Sequence, residues 1–359
     1  MLYGARSYED LRIDPKKQHF VHELNSFVSD FEISKRIILQ PGRNYDIHPV
    51  ILNYNKIEAY PKPLFFYAVI HTLESICFLF LYSLGFKRFN ILKNQGGCAD
   101  GSNGIHYWVL PRGSKKEDKK ARVISSGLPI VFFHGIGCGL FPYAQFIKEL
   151  VYHAADSPIF LVELPFVAMR LVDHVPSMEQ TIFEVEAMLD IHGHSKAMFV
   201  GHSLGSAVTA WMIKHSKYVA ASVLLDPIVF LTFHPSLAFN FVHRHPGRNT
   251  ESTRANEVMM HWLCSRELHI SYTISRHFIW HQAMIWAEHL PTTHHVIISR
   301  QDLLLDAGNV EKYLVANKVN HTALDIDHGE FLFQPDIQTE VVKKVAAVVG
   351  EYYAAEKRK

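Results

Sequence analysis

The sequence predicts an α/β domain: a mostly parallel sheet with helices on both faces, and a helical cap inserted after the strand that ends at Asp226. Three observations carry this expectation. From about residue 104 onward, short apolar runs bounded by turn signals alternate with segments of helical periodicity. Pro129–His134 and Pro158–Leu164 read as buried strands, whereas Gly104–Leu110 alternates. The residues able to do chemistry fall at the carboxyl ends of those runs, where sheets wound by right-handed crossovers collect their sites.

Composition sets the frame. A chain of 359 residues suffices for one large domain with an extension, or for two modest domains. With 48% apolar and 20% charged residues it can bury a core and is not disordered. A net charge of +1 gives no basis for nucleic-acid binding. The run Lys115–Lys120 mixes signs and reads as a solvated loop. The cysteines, Cys77, Cys98, Cys138 and Cys264, match no zinc spacing and form no disulfide framework, so they are expected reduced, facing a cytosolic compartment. Met1 to Asp30 contains no apolar core of a secretory signal.

Residues 1–100 read as a helical extension. A helix is expected from about Pro15 to Phe31, with Phe20, Val21, Leu24, Phe27 and Val28 at helical spacing, and Gln40–Asn44 ends it. Leu64 to Phe86 is the most apolar segment, interrupted by His71 and Glu74. As a helix it would be about 34 Å long, enough to cross a hydrocarbon core. Glu74 near its middle would cost about 3 kcal/mol there, against about 0.3–0.6 kcal/mol gained per central Leu, Ile, Val or Phe. Tyr67, His71, Glu74, Ser75 and Tyr82 are expected on one face. That stripe fits a helix lying in the membrane interface, a span leaning on protein, or a helix packed on the main domain. Lys87 and Arg88 follow, as interfacial anchors would. Membrane association through 64–86 is therefore expected, on the cytosolic side; otherwise the protein is cytoplasmic.

The α/β domain is expected over 104–357. Gly104–Leu110, Pro129–His134, Pro158–Leu164, Ala197–His202, Val219–Leu225, His295–Ser299 and Thr322–Ile326 read as strands. Tyr143–His153, Ser177–His192 (Ser177 as N-cap), Leu204–His215, Val310–Ala316 and Val341–Ala354 read as helices. The cap occupies about 228–293, with helices around Asn256–Glu267 and Ile274–His289.

Four strand ends carry reactive groups. Gly201-His202-Ser203-Leu204-Gly205 follows the strand Ala197–His202 and precedes a helix. A serine on so tight a turn needs a strained backbone and small flanking residues, which Gly201 and Gly205 provide. Serine is a weak nucleophile until a base takes its proton, and His328, after the last strand, is the candidate. The imidazole needs a carboxylate to fix its tautomer. Asp302, 26 residues before His328 and separated from it by one helix and one strand, is favoured; Asp226 is the alternative. The backbone N–H groups of Leu204, at a helix start, and Ile136, after His134-Gly135, are the expected oxyanion donors.

In these features the segment from about 104 to 352 resembles the α/β-hydrolase superfamily. The resemblance rests on the His134-Gly135 turn, the Ser203 elbow, Asp302 and His328-Gly329, in that family's order. The hydrophobic segment ahead of the domain is similar to that of uncharacterised eukaryotic members. The resemblance implies a Ser-His-Asp triad, no metal or organic cofactor, and cleavage of an ester, thioester or amide. Two departures leave the substrate open. Glu163–Arg170 replaces an Asp-initiated, glycine-rich run found in many small-molecule members, and Ile136 and Cys138 interrupt what in lipase-like members is a run of glycines. Halide release and epoxide opening on this fold resemble systems with Asp at the elbow, so Ser203 argues against both.

The cap is rich in aromatic residues, among them Phe230, Phe241, Trp262, Tyr272, Trp280 and Trp286, which suggests an apolar acyl or aromatic substrate, and the substrate expected is a carboxylic ester or a lipid-like acyl compound. His277 and His281 are spaced four apart, and His243 and His245 lie nearby, but no carboxylate or cysteine completes a ligand set, so no metal is expected. Arg244, Arg248, Arg254 and Arg276 are candidates for an anionic group. The function expected is a serine esterase; an acyltransferase or thioesterase with the same triad, or a catalytically silent membrane-tethered binding protein, are the alternatives.

Overall fold

The strands are β1 (Lys87–Asn90), β2 (His106–Leu110), β3 (Ile130–Phe133), β4 (Ile159–Val162), β5 (Ala197–His202), β6 (Val219–Leu225), β7 (Thr293–Ser299) and β8 (His321–Leu324). In the computed structural model they form one sheet in the order β1-β2-β4-β3-β5-β6-β7-β8. β2 runs antiparallel to both its neighbours, and every other pairing is parallel. The structure describes residues 8–42, 46, 53, 56–91, 104–112, 127–247 and 255–358. The Lys115–Lys120 loop, Arg43, Asn44, Cys98, Arg248 and Arg254 lie outside these.

Central strands carry the β-branched and aromatic residues that a sheet covered on both faces selects. Ile130–Phe133 and Ile159–Val162 are buried at every position. After β3 the chain moves outward to β4, then returns to β5 on the other side of β3. That reversal opens a crevice at the carboxyl ends of β3 and β5, the place where such sheets bind ligands.

The longer helices are α1 (Tyr8–Ile13), α2 (Gln18–Lys35), α3 (Leu64–Ser83), α4 (Ala144–His153), α5 (Met178–Ile191), α6 (Leu204–His215), α7 (Leu268–Arg276), α8 (Ala307–Ala316) and α9 (Pro335–Glu356), with short helical turns at Ser236–Ala238, Ala255–Met259 and Trp280–Ala283 in the cap. Ser177 caps α5, its hydroxyl accepting from the Gln180 N–H at 3.2 Å. Asp306 caps α8 in the same way through Asn309 N–H. Phe132, Tyr143, Phe146, Val341, Val342 and Val345 belong to one buried cluster.

Two compact units divide the chain, Met1–Asn55 and Lys56–Lys359. The first contains α2, which ends at Arg36 in left-handed conformation with the Ile37 N–H on the Glu32 carbonyl at 3.1 Å. The sequence grouped residues 1–100 together, whereas α3 and β1 belong to the larger unit.

Three expectations are corrected here. Lys87 and Arg88 do not simply trail the apolar segment but open strand β1. Arg88 donates to Glu163 through Nε at 2.7 Å and Nη2 at 2.8 Å. Glu163 also accepts from Trp108 Nε1 at 2.8 Å and Arg170 Nη1 at 3.1 Å, and Arg170 reaches back to Glu74 at 3.0 Å. The departure noted at Glu163–Arg170 is thus the hub of an ion-pair network between β1, α3 and the sheet. Burial alone would raise the Glu163 carboxyl; the hydrogen bonds from Arg88 and the charges of Arg88 and Arg170 outweigh it and hold it below the usual carboxylate range.

The polar stripe foreseen on α3 also divides. Tyr67, which donates to Glu267 at 2.8 Å, and Glu74 lie with Ile70, Cys77 and Leu81 on the side facing the domain. His71 and Ser75 face outward, and Tyr82, though half exposed, sets its ring against Trp108 of the sheet at 4.9 Å. In the cap, Ile274–His289 is not one helix. α7 ends at Arg276, where both His277 N–H and Phe278 N–H converge on the Thr273 carbonyl, and a separate turn covers Trp280–Ala283. His277 and His281 therefore do not share a helix face, and no group of three metal-ligating residues is found among the described residues.

Candidate active site

Strand β5 delivers Ser203 to the crevice. Its backbone sits at φ 52°, ψ −120°, a conformation costly for any residue with a side chain. Two glycines let the elbow close this tightly. A Cβ on Gly201 would lie 2.4 Å from the Gly205 carbonyl oxygen, and one on Gly205 2.2 Å from the Phe133 carbonyl oxygen. The Ser206 hydroxyl donates to the Ser203 carbonyl at 2.5 Å and accepts from the Ile228 N–H at 3.0 Å, tying the elbow to the segment after β6.

The structure brings Ser203, His328 and Asp302 together. Ser203 Oγ lies 2.8 Å from His328 Nε2, and His328 Nδ1 lies 2.6 Å from Asp302 Oδ2. The other oxygen of Asp302 accepts from the N–H groups of Leu304 at 2.7 Å and Leu305 at 3.1 Å, which fixes the carboxylate in its loop. The His328 loop is held in turn: Asp327 Oδ1 accepts from His328 N–H at 2.7 Å and Leu303 N–H at 3.2 Å, and Gly329 takes the left-handed φ of 67°. Burial alone would lower the His328 basicity. The charge of Asp302 and its hydrogen bond, with the charges of Asp226 and Asp327, outweigh burial and raise it to about 9.

Asp226, the alternative acid, makes a different contact. Its Oδ2 accepts from the Gly329 N–H at 2.8 Å and lies 3.9 Å from His202 Nε2. Leu204 opens α6, and Ile136 lies in the turn after β3; neither N–H enters a backbone hydrogen bond among the described residues. His134 is buried, and burial lowers its basicity to about 4, so it is neutral. Its Nδ1–H donates to the Gly135 carbonyl at 2.8 Å and its Nε2 accepts from Leu164 N–H at 2.9 Å.

Sequence reasoning missed Tyr143 and His202. Tyr143 Oη lies 2.6 Å from His202 Nδ1 and 2.9 Å from the Gly135 nitrogen. Its one visible signal was His202, adjacent to the elbow serine. A small cavity opens beside His328, lined by Phe241, Arg244, Met260, His261, Leu303 and Leu304 among others. Of the cap aromatics, Phe230 and Phe241 are buried, whereas Trp262, Tyr272, Trp280 and Trp286 are partly exposed, between 37% and 47%.

Strand order, the reversal at β3 and the strained serine at the end of β5 together define the α/β-hydrolase fold. No family model matches the chain, and no curated protein matches it in sequence. Solved structures do match in shape. A candidate lipase (lip1) from Acinetobacter baumannii AYE superposes over 79% of this chain and 97% of its own at a TM-score of 0.52, with 11% identity. Naproxen esterase (carboxylesterase NP) from Bacillus subtilis covers 77% and 96% at 0.47 and 12% identity. A membrane phospholipase A, a bacterial virulence factor, covers 80% and 94% at 0.48 and 14% identity.

Proposed function

We propose that the protein is a serine hydrolase that cleaves a carboxylic ester with an apolar, lipid-like acyl group through an acyl-enzyme on Ser203. The observation that carries this reading is His328 standing between Ser203 Oγ and the Asp302 carboxylate at 2.8 and 2.6 Å. With Asp302 accepting from Nδ1–H, Nε2 of the neutral ring is left as the acceptor for the serine proton. Ser203 Oγ attacks the ester carbonyl as that proton moves to Nε2. The N–H groups of Ile136 and Leu204 receive the oxyanion. The imidazolium then protonates the departing alcohol, and a water deprotonated by His328 releases the acid. Phe241, Met260, Leu303 and Leu304 supply apolar surface beside His328.

A fluorophosphonate probe should label the wild type and not Ser203→Ala. Folded wild type that stays unlabelled rejects the reading and favours a catalytically silent binding protein. Acyl transfer to an alcohol or thiol would use the same residues; product analysis with competing acceptors separates that outcome.

A second reading concerns the outer face of α3. Leu64, Phe65, Ile76 and Leu79 are 79%, 76%, 51% and 70% exposed. We infer that this face rests in a membrane interface while the inner face stays on the domain. Co-sedimentation with phosphatidylcholine vesicles should be lost in Phe65→Asp/Leu79→Asp; equal binding of the variant, or none by wild type, rejects it.

A further inference from the structure

Behind the nucleophile runs a buried chain of polar groups that touches neither Ser203 Oγ nor Asp302. Tyr143, His202 and Asp226 are each less than 5% exposed. The Tyr143 oxygen accepts from the Gly135 N–H at 2.9 Å, so its single hydrogen goes to His202 Nδ1 at 2.6 Å. That fixes the tautomer: the neutral His202 carries its proton on Nε2, which faces Asp226 Oδ2 at 3.9 Å. Asp226 Oδ2 in turn accepts from Gly329 N–H at 2.8 Å. The Tyr143–His202 pair therefore grips the turn before Ile136, and Asp226, 3.9 Å from His202 with no hydrogen bond between them, separately grips the residue after His328.

Peptide planarity gives the first grip its consequence. The Gly135 carbonyl and the Ile136 N–H belong to one rigid plane and point in opposite directions. His134 Nδ1–H holds that carbonyl at 2.8 Å, and Tyr143 holds the N–H of the preceding plane. Both planes flanking Gly135 are thus pinned by buried side chains. Gly135 also packs against the elbow so closely that a Cβ there would lie 2.9 Å from the Ser203 Cβ.

We propose that Tyr143, His202 and Asp226 are positioning residues that hold the Ile136 N–H and the His328 ring in register with Ser203. The proposal rests on the serine-hydrolase reading above. It assigns Asp226, the second carboxylate of the site, to the loop of the base rather than to its imidazole.

The test is steady-state turnover of p-nitrophenyl esters and the rate of fluorophosphonate labelling, in wild type, Tyr143→Phe and Asp226→Asn. Tyr143→Phe keeps the ring and removes the hydroxyl. Loss of a whole oxyanion donor costs about 100- to 1,000-fold, and a mis-aimed donor should cost on the order of tenfold or more. The expected result is kcat lower by at least that factor, KM within about twofold, and labelling slowed in parallel. In Tyr143→Phe the pH at which activity is half-maximal should stay in place. In Asp226→Asn it should move down, because Asp226 is one of the negative charges around His328, with Asp302 and Asp327 on the site loops; the neutral imidazole of His202 also faces the site, and Arg244, Glu257 and the neutral His261 face it from the cap. Should Tyr143→Phe fail to fold, His202→Asn supplies the same kcat test. Wild-type kcat in a folded Tyr143→Phe, or a fall in kcat matched by a fall in thermal stability alone with unchanged labelling rate, overturns the proposal. A wild type that neither labels nor turns over ester overturns the serine-hydrolase reading and the proposal with it.

Discussion

Replacing Glu163 by glutamine should loosen the joint between the α3–β1 segment and the sheet. The native side chain is 5% exposed and accepts four hydrogen bonds, two from Arg88 and one each from Trp108 and Arg170. Glutamine keeps one of those oxygens, turns the other into a donor facing guanidinium donors, and removes the charge between two cations. Breaking a buried ion pair from one side costs about 3–5 kcal/mol. Arg88 and Arg170 retain 27% and 29% side-chain exposure, so water recovers part of that, leaving about 2–3 kcal/mol. At roughly 2 °C per kcal/mol for a unit of this size, Tm should fall by about 4–6 °C at pH 7. The sign with pH follows from the depressed carboxyl. Its contribution is fully present above the unfolded value near 4.5 and is lost as pH falls through the lower folded value. Circular-dichroism melts of both proteins should therefore differ fully at pH 7 and converge only as pH falls below the lowered folded value of Glu163. A variant melting within about 1 °C of wild type at pH 7 refutes the reasoning, since the network would then contribute nothing.

Three further outcomes are expected. Asp302→Asn should lower kcat by about 10⁴-fold, as loss of the carboxylate that fixes a catalytic tautomer does, while Asp226→Asn should retain far more activity; the reverse ranking in ester turnover would make Asp226 the acid. His328 must be neutral to take the serine proton, and its basicity is raised to about 9, so activity is lost as pH falls below that value and kcat/KM should climb from pH 7 to 9; a flat profile over that range contradicts the carboxylate surroundings described. Gly205→Ala places a methyl 2.2 Å from a backbone oxygen of β3, and should destabilise by about 3 kcal/mol or more, read as a drop in Tm together with lost labelling; wild-type values would mean the elbow can shift at no cost.

Strands buried on both faces were the most legible part of the chain. Ala197–His202 and Val219–Leu225 are read from sequence with the bounds they have in the sheet, because their apolar runs end at glycine, serine or aspartate. β1 was not legible. Lys-Arg-Phe-Asn has neither length nor alternation, and its partner for Arg88 lies 75 residues away at Glu163. Ser203, Asp302 and His328 could be picked because each ends a recognisable run. Tyr143 could not, since its hydroxyl gains meaning only through His202, 59 residues on. In the cap, periodicity suggested one helix through His289, and the actual break after Arg276 comes from backbone hydrogen bonds that composition does not encode.

The same limit applies to Leu64–Phe86, where hydropathy reports how apolar a segment is but not what lies against it. α3 is long and apolar enough to cross a membrane, with 17% of its most apolar window buried against the protein. Crossing would carry Glu74 to mid-bilayer at about 3 kcal/mol and part it from Arg170. It would also take Tyr67 from Glu267, a residue that is itself fully buried. Each separation leaves a polar group without its partner on the domain, a further cost of about 1–3 kcal/mol apiece. A helix lying in the interface incurs none of these. It keeps Tyr67, Glu74, Cys77 and Leu81 on the protein and turns Leu64, Phe65, Ile76 and Leu79 toward the acyl boundary. Two faces with different partners also account for a sequence in which charge and apolarity alternate around the helix rather than along it, so the proposed membrane contact is one that α3 makes lying down.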